Sequence, residues 1–247
     1  VLPADLITAL DAVSSTPRLL VTSDFDGTLA PIVNNPADAR ALPAAASALI
    51  TLADLADTEV ALISGRALNV LKELAAVPAN VHLVGSHGAE FESGFSQPVD
   101  EALLTRIGLS LGEIASRYPG VAVETKPASV ALHVRNASSG DGTAALAAAQ
   151  LAAADWNAEI TSGKEVLEFA VITTNKGSAI DELRSRAAAT AVVFFGDDVT
   201  DEKAFARLAD GDVGVKVGPG QSAAQYRVDS PDDVAEALAH LARRRPA

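Results

Sequence analysis

The sequence predicts an α/β fold, a doubly wound parallel sheet interrupted by a smaller α+β insertion. Two observations carry this. Residues 19–21, 60–63 and 192–195 are short, continuous apolar runs bounded by turn residues, the pattern of strands buried on both faces; residues 81–84 are a similar run broken only by His82, and helical spacing separates the four. Between residues 99 and 172 the order becomes helix, strand, strand, helix, strand, strand. That order implies a small sheet with two helices on one face, inserted where the alternation breaks off and later resumes. The expected organisation is a first core segment at 1–98, an inserted domain at 99–172 and a second core segment at 173–247.

Residues 3–13 have helical spacing and precede the first strand. The strand at 19–21 runs directly into Asp24-Phe25-Asp26-Gly27-Thr28. Two carboxylates at a strand's C-terminal end lie where open α/β sheets bind ligands, and the glycine lets the chain turn sharply there. Alternation would point Asp24 and Asp26 the same way, whereas a bend would offer the second residue's backbone carbonyl instead. Either arrangement gathers anionic oxygens that need a cation or a proton, and hard oxygen ligands favour magnesium. The stretch 31–43, rich in Pro, Asn and Asp, reads as a loop over the site, and Pro43 opens a helix through residue 55. The strand at 60–63 ends in Ser64-Gly65-Arg66 before a helix at 67–75, where a hydroxyl suits either a helix N-cap or a phosphate oxygen. The strand at 81–84 ends in Gly85-Ser86-His87-Gly88-Ala89-Glu90, and residues 91–97 read as a hairpin. Taken alone, His87 suits a core position satisfied by the backbone.

The insertion reads as helix 102–118, strands 121–126 and 129–135, helix 143–157 and a strand pair around Gly163-Lys164. Alternation puts Ser129, His133 and Arg135 on one strand face, and Trp156 is expected to pack within a helix against the core. Beyond it, Lys176 opens a helix at 178–188. The N-terminal end of a helix dipole disfavours a cation, so a purely structural role fits Lys176 poorly. The strand at 192–195 leads into Gly196-Asp197-Asp198-Val199-Thr200-Asp201-Glu202, acidic enough for a helix cap or for a magnesium site. Residues 211–217 give the last strand, with a turn at Gly218-Pro219-Gly220, and a helix at 234–245 closes the fold. Arg243, Arg244 and Arg245 read as a solvated helix end.

Composition narrows the classes. The chain has 247 residues, 49% hydrophobic and 4% aromatic, enough Ala, Leu and Val for a sizeable core. A formal net charge of −13 argues against nucleic acid or an anionic membrane as a partner, since counterion release needs clustered Lys and Arg. No apolar run approaches the roughly 20 residues of a membrane span, and the absence of cysteine removes disulfides and thiolate metal sites. Cytoplasm is the expected compartment and a monomer the expected state. In so acidic a chain each buried Lys or Arg becomes informative.

DFDGT, ISGR, GSHGAE and GDDVTDE at four strand ends, with NKG at a helix start before the last of them, resemble in this order the motifs of the haloacid dehalogenase-like (HAD) phosphohydrolases. The whole chain is similar to their trehalose-6-phosphate phosphatase family. That resemblance implies a Rossmann-like core with a C2-type cap, and hydrolysis of trehalose 6-phosphate to trehalose and phosphate through a phospho-aspartate, the last step of trehalose biosynthesis. It makes Asp24 the nucleophile, Asp26 the general acid and base, Ser64 a phosphate-oxygen donor and Lys176 the cation on the phosphoryl group. Magnesium is implied on Asp24, Asp26 and Asp197, with Asp198 and Asp201 holding its waters or the lysine. Gly27, Thr28, Arg66, His87, Gly88 and Glu90 are implied in substrate binding by the core. In the insertion, KPASVALHVR and GKEVLE resemble the family's substrate signatures and imply the same for Lys126, Ser129, His133, Arg135, Lys164, Glu165 and Glu168. Where the family often continues Phe-Arg-Pro, this chain has Phe169-Ala170-Val171. Rival readings are a phosphatase for another sugar phosphate on the same core, a phosphomannomutase-like phosphotransferase, and a non-catalytic sugar-phosphate sensor.

Overall fold

The computed structural model describes residues 1–246; Ala247, the last residue of the expected second core segment, lies outside them. The chain divides into two compact units, residues 95–173 and the segments on either side of them.

In the larger unit, α1 (Ala4–Ser14), β1 (Leu19–Ser23), α2 (Pro43–Ala53), β2 (Thr58–Ile63), α3 (Leu68–Ala75) and β3 (Val81–Gly85) come first, followed by the two-residue strands β4 (Glu90–Phe91) and β5 (Gly94–Phe95), the last of which straddles the division in the chain. The smaller unit contributes α4 (Glu101–Ala115), β6 (Ala122–Thr125), β7 (Ser129–His133), α5 (Ser139–Ala152), β8 (Glu159–Gly163) and β9 (Val166–Ala170). The larger unit resumes with α6 (Lys176–Ala187), β10 (Ala191–Gly196), α7 (Glu202–Phe205), β11 (Val213–Val217), β12 (Tyr226–Val228) and α8 (Pro231–Arg244).

The sheet of the larger unit has the order β12-β11-β10-β1-β2-β3-β4-β5, parallel from β12 through β3 and antiparallel at β3–β4. Its central strands are apolar at every other position on both faces, which is why they read as unbroken hydrophobic runs. Val21, Val60, Leu62, Val193, Phe195 and Val215 meet Leu6, Leu10, Leu49, Leu52, Leu238 and Leu241 of α1, α2 and α8 on one side. Leu20, Ala61, Ile63, Val192 and Phe194 meet Ile180, Leu183 and Phe205 of α6 and α7 on the other. Phe194 and Phe205 stack edge to face at 5.2 Å between ring centroids. This is the doubly wound arrangement, and it sends β1, β2, β3 and β10 to one common edge with their C-terminal loops together.

Two features depart from the sequence reading. Residues 211–217 are not the last strand, because Tyr226–Val228 adds β12 at the sheet edge beside β11. Arg245 is not solvated: at 7% exposure its guanidinium donates to the carbonyls of Ser14, Thr16, Pro17 and Asp57 and to Thr58 Oγ1, tying the chain end to the loops that enter β1 and β2.

The smaller unit is an antiparallel sheet of order β6-β7-β9-β8. Leu103, Ile107, Leu111 and Ile114 of α4 and Ala145 and Ala149 of α5 cover Val130, Leu132, Leu167 and Phe169 on one of its faces. Trp156 follows the end of its helix rather than lying within it, and it packs edge-on to Phe169 at 5.2 Å.

Candidate active site

The loops after β1, β2, β3 and β10 build a buried cluster at the C-terminal edge of the sheet. Asp24 follows β1, anchored by its N–H to the Phe195 carbonyl of β10 at 2.9 Å, and it is 4% exposed. Lys176, the first residue of α6, is 2% exposed and reaches Asp24 Oδ1 and Asp201 Oδ1 at 2.7 Å each. Asp201 is held from both sides: its other oxygen accepts the N–H groups of Asp197 and Asp198 at 2.9 Å each. The helix turn is set by Asn175, whose side chain caps Ser178 N–H, so a lysine can occupy a helix start because two carboxylates face it.

These charges shift one another. Burial pushes the Asp24 carboxyl well above its ordinary range, the Lys176 ammonium pulls it back in part, and Asp201 adds to the rise. Burial disfavours the Lys176 ammonium, but the pull of Asp24 and Asp201 outweighs it and holds the lysine charged. Asp197 is likewise raised, by burial and by repulsion from Asp201.

Carboxylate oxygens of Asp24, Asp197 and Asp201 come within 4.8 Å of one another. Three hard oxygen donors with one ammonium between them leave negative charge to neutralise, so these residues fit a small divalent cation. The Asp26 carboxylate lies outside this group, which leaves the backbone-carbonyl alternative for that residue. Both its carboxylate oxygens accept from Arg66, Nε and Nη2 at 2.6 Å each, a forked pairing that fixes the carboxylate's orientation. Arg66, expected among the substrate ligands, is therefore engaged with Asp26. Asp198 is exposed on the rim.

Gly27, at φ +78°, is glycine for two reasons: the conformation, and Asp197 Oδ2, which would lie 2.0 Å from a Cβ. Thr28 is fully buried with its hydroxyl unpartnered. Ser64 is 1% exposed and its Oγ accepts from Arg66 N–H at 3.2 Å. The loop after β3 braces this one: His87 N–H donates to Ser64 O at 2.9 Å, Ser86 N–H to Arg66 O at 2.7 Å, and the His87 ring fills the space a Gly65 side chain would need. Glu90 accepts from Leu68 N–H at 2.9 Å and Ser86 Oγ at 2.7 Å, tying the start of α3 to the same loop. Gly88 abuts the Asn175 carbonyl beside Lys176. His87, Gly88 and Glu90 thus join three loops of the site.

In the smaller unit three of the seven expected residues come together. Lys126 Nζ lies 3.1 Å from both Glu168 oxygens and Ser129 Oγ 2.6 Å from Glu168 Oε1, on the sheet face that the helices leave open. His133 pairs with Glu124 at 2.9 Å and Arg135 with Glu165 at 3.6 Å. Arg135 lies beyond the end of β7, and Lys164 is exposed in the β8–β9 turn.

One buried charge near the site had no place in the sequence reading. Lys216 of β11 is 5% exposed, with Nζ donating to the carbonyls of Asp197 and Val217. Its signal was present: a lysine inside Val-Gly-Val-Lys-Val, a strand of a sheet covered on both faces.

A doubly wound parallel sheet whose C-terminal edge gathers the DFDGT aspartates, a lysine and a second acidic loop is the Rossmann-like core of the HAD superfamily, here with an α+β insertion. The trehalose-phosphatase family model matches residues 22–232, and the chain belongs to that family. It is 37% identical over 241 residues to a trehalose-phosphate phosphatase of Mycobacterium avium, covering 89% of this chain and 61% of that protein. It is 35% identical over 251 residues to one of Mycobacterium marinum, covering 92% and 62%. The chain thus spans about three fifths of the length of these relatives. In fold it is similar to the C-terminal domain of Candida albicans trehalose-6-phosphate phosphatase, with TM-score 0.81, 23% identity and 98% of each chain covered.

Proposed function

We propose that this chain hydrolyses trehalose 6-phosphate to trehalose and inorganic phosphate, with Asp24 as nucleophile and Mg2+ as the cation. The observation that carries the chemistry is the Asp24–Lys176–Asp201 arrangement, a buried carboxylate kept close to an ammonium that is itself held from behind. The substrate rests on the family match and on its similarity to proteins named for that activity.

In this reading Asp24 attacks phosphorus and a phospho-aspartate forms, while the sugar oxygen leaves with a proton from Asp26. Water then cleaves the acyl phosphate, giving up its proton to Asp26 and releasing phosphate. Lys176 and Ser64 stand against the charge of the transferring oxygens. The Arg66 fork orients the Asp26 carboxylate. To donate in the first step Asp26 must carry a proton, so one of its oxygens has to be released from Arg66. Asp24, Asp197 and Asp201 would hold the magnesium, which when bound neutralises phosphoryl and carboxylate charge.

The smaller unit is proposed to choose the sugar. Lys126, Ser129 and Glu168 together offer donors and acceptors fixed on one face, which suits a polyhydroxylated ligand. The same reading takes the chain to act as a monomer in the cytoplasm; among the described residues no helix is long and apolar enough to cross a membrane.

The test is phosphate release from a panel of sugar phosphates, with magnesium and with excess chelator. Preference for trehalose 6-phosphate that chelator abolishes is expected. Magnesium-dependent release from other sugar phosphates but not this one would overturn the substrate. Release from none, or release unaffected by Asp24→Asn, would overturn the chemistry.

A further inference from the structure

Three cations are buried among the described residues: Lys176 and Arg245, whose partners are given above, and Lys216. Among the described residues, Lys216 has no carboxylate within ion-pair distance. An ammonium taken out of water without a counter-ion is costly, so its position needs a reason.

Its place in the sheet supplies one. Val213, Val215 and Val217 turn into the core beneath α1 and α8, so alternation sends Lys216 to the opposite face. In the β10–β11 register it lies opposite Gly196, the residue before Asp197. From there Nζ donates to the Asp197 carbonyl. Asp201 meanwhile takes the N–H of Asp197 and the N–H of Asp198. Both peptide planes flanking Asp197 are therefore held, the first by its N–H and the second by N–H and carbonyl together. With φ and ψ fixed, the carboxylate keeps only side-chain rotation, and on its far side Gly27 leaves no room to spare. The excess of carboxylates over Lys176 in the cluster supplies the field that offsets the buried charge.

We propose that Lys216 is a positioning residue for the cation site, fixing the Asp197 peptide so that its carboxylate is aimed before the ion arrives. This rests on the reading that Asp24, Asp197 and Asp201 hold magnesium. It makes a signed prediction, because the two things Lys216 could do oppose each other. As a bare positive charge near the site it repels a cation, and its removal would tighten binding. As the clamp on Asp197 it lowers the cost of ordering, and its removal weakens binding.

The experiment titrates the full chain with magnesium chloride alone, by calorimetry and by the magnesium dependence of the melting temperature, for wild type, Lys216→Met and Lys216→Arg. Methionine keeps the buried stem and loses the donor; arginine keeps a charged donor. Loss of groups that orient metal ligands typically weakens metal affinity about 10–100-fold. The expected result is a dissociation constant raised about tenfold in Lys216→Met and mostly restored in Lys216→Arg. In phosphate release, half-saturating magnesium should rise by the same factor, with most of the rate recovered at saturation. Binding unchanged or tighter in Lys216→Met would overturn the proposal, as would Lys216→Arg binding as weakly as Lys216→Met. If Lys216→Met does not fold, Lys216→Gln, whose amide is one atom too short for the Asp197 carbonyl, carries the same comparison. No magnesium binding by the wild type would instead refute the cation reading itself.

Discussion

Replacing Lys176 by methionine should expose how much of the larger unit's stability hangs on one ammonium. Lys176 lies 2.7 Å from Asp24 and 2.7 Å from Asp201, and all three are at most 4% exposed. Removing it leaves two carboxylates facing each other without solvent or a counter-charge. Breaking a buried pair from one side costs about 3–5 kcal/mol. For a protein of this size each kcal/mol is worth about 2–4 °C, so the melting temperature should fall by roughly 6–20 °C at pH 8. The deficit must depend on pH, and its sign follows from Asp24. Burial already holds that carboxyl above its ordinary value, and loss of the lysine raises it further. A carboxyl whose folded pKa is raised contributes stability at low pH and loses it as pH rises through the folded value. In Lys176→Met a protonated Asp24 can donate to Asp201, so the gap to wild type should narrow at pH 5 and widen at pH 8. Urea unfolding followed by far-ultraviolet circular dichroism at both pH values measures this; the sole tryptophan, Trp156, belongs to the smaller unit and would report on that unit instead. The rate of phosphate release should fall about 10²–10³-fold. An equal deficit at both pH values would falsify the idea that the lysine's main structural role is to neutralise Asp24 and Asp201.

Other substitutions separate stability from chemistry. Arg245→Ala removes every donor that ties the chain end to the β1 and β2 entry loops, and should cost about 2–4 kcal/mol of stability while leaving turnover per folded molecule unchanged; parallel melts and phosphate assays decide it. Gly27→Ala should fold but lose at least about 10²-fold in rate, because a Cβ at 2.0 Å from Asp197 Oδ2 displaces that carboxylate; recovery of normal rate at high magnesium would contradict this. Glu168→Gln, which unsettles Lys126 and Ser129, should raise KM for trehalose 6-phosphate about tenfold and leave hydrolysis of p-nitrophenyl phosphate untouched. Since Asp24 and Asp197 are both raised in the metal-free protein, its stability should fall as pH rises through their folded values. Magnesium should accordingly lift the melting temperature more at pH 8 than at pH 5.5.

The sheet's active edge could be read from the sequence because two simple rules coincide there. A strand buried on both faces is apolar at every position, so its end is visible, and a polar motif at that end must lie at the C-terminal edge. That rule places Asp24, Ser64, His87 and Asp197 at the edge, while the roles of Ser64 and His87 came only with the family resemblance; Lys176 stands out as a cation where a helix dipole discourages one. Which aspartate points where did not follow. Alternation joined Asp26 to Asp24, but the turn at Gly27 hands Asp26 to Arg66, forty residues away, and a helical turn brings Asp201 back into the cluster. Such partners are set by tertiary geometry, which local patterns do not encode. β12 escaped notice for a different reason: three residues with an exposed arginine in the middle carry too little pattern to separate from a loop.

The polar residues inside the buried strands sort themselves by how they are satisfied. Thr22 Oγ1 donates to the Val193 carbonyl at 2.9 Å and Ser23 Oγ to the Asp24 carbonyl at 2.7 Å, so each hydroxyl closes a bond with nearby backbone. They cost little and need no further role. Lys216 cannot be satisfied so cheaply, because two carbonyls stabilise an ammonium less than water does. A cation that a fold retains in a fully covered strand must be held by charge from elsewhere, and the carboxylates of the Asp197–Asp201 loop that it clamps supply that charge. A lysine in a strand that both neighbouring layers bury is therefore a sequence-level pointer to a charged site at that strand's end, and here it points to Asp197.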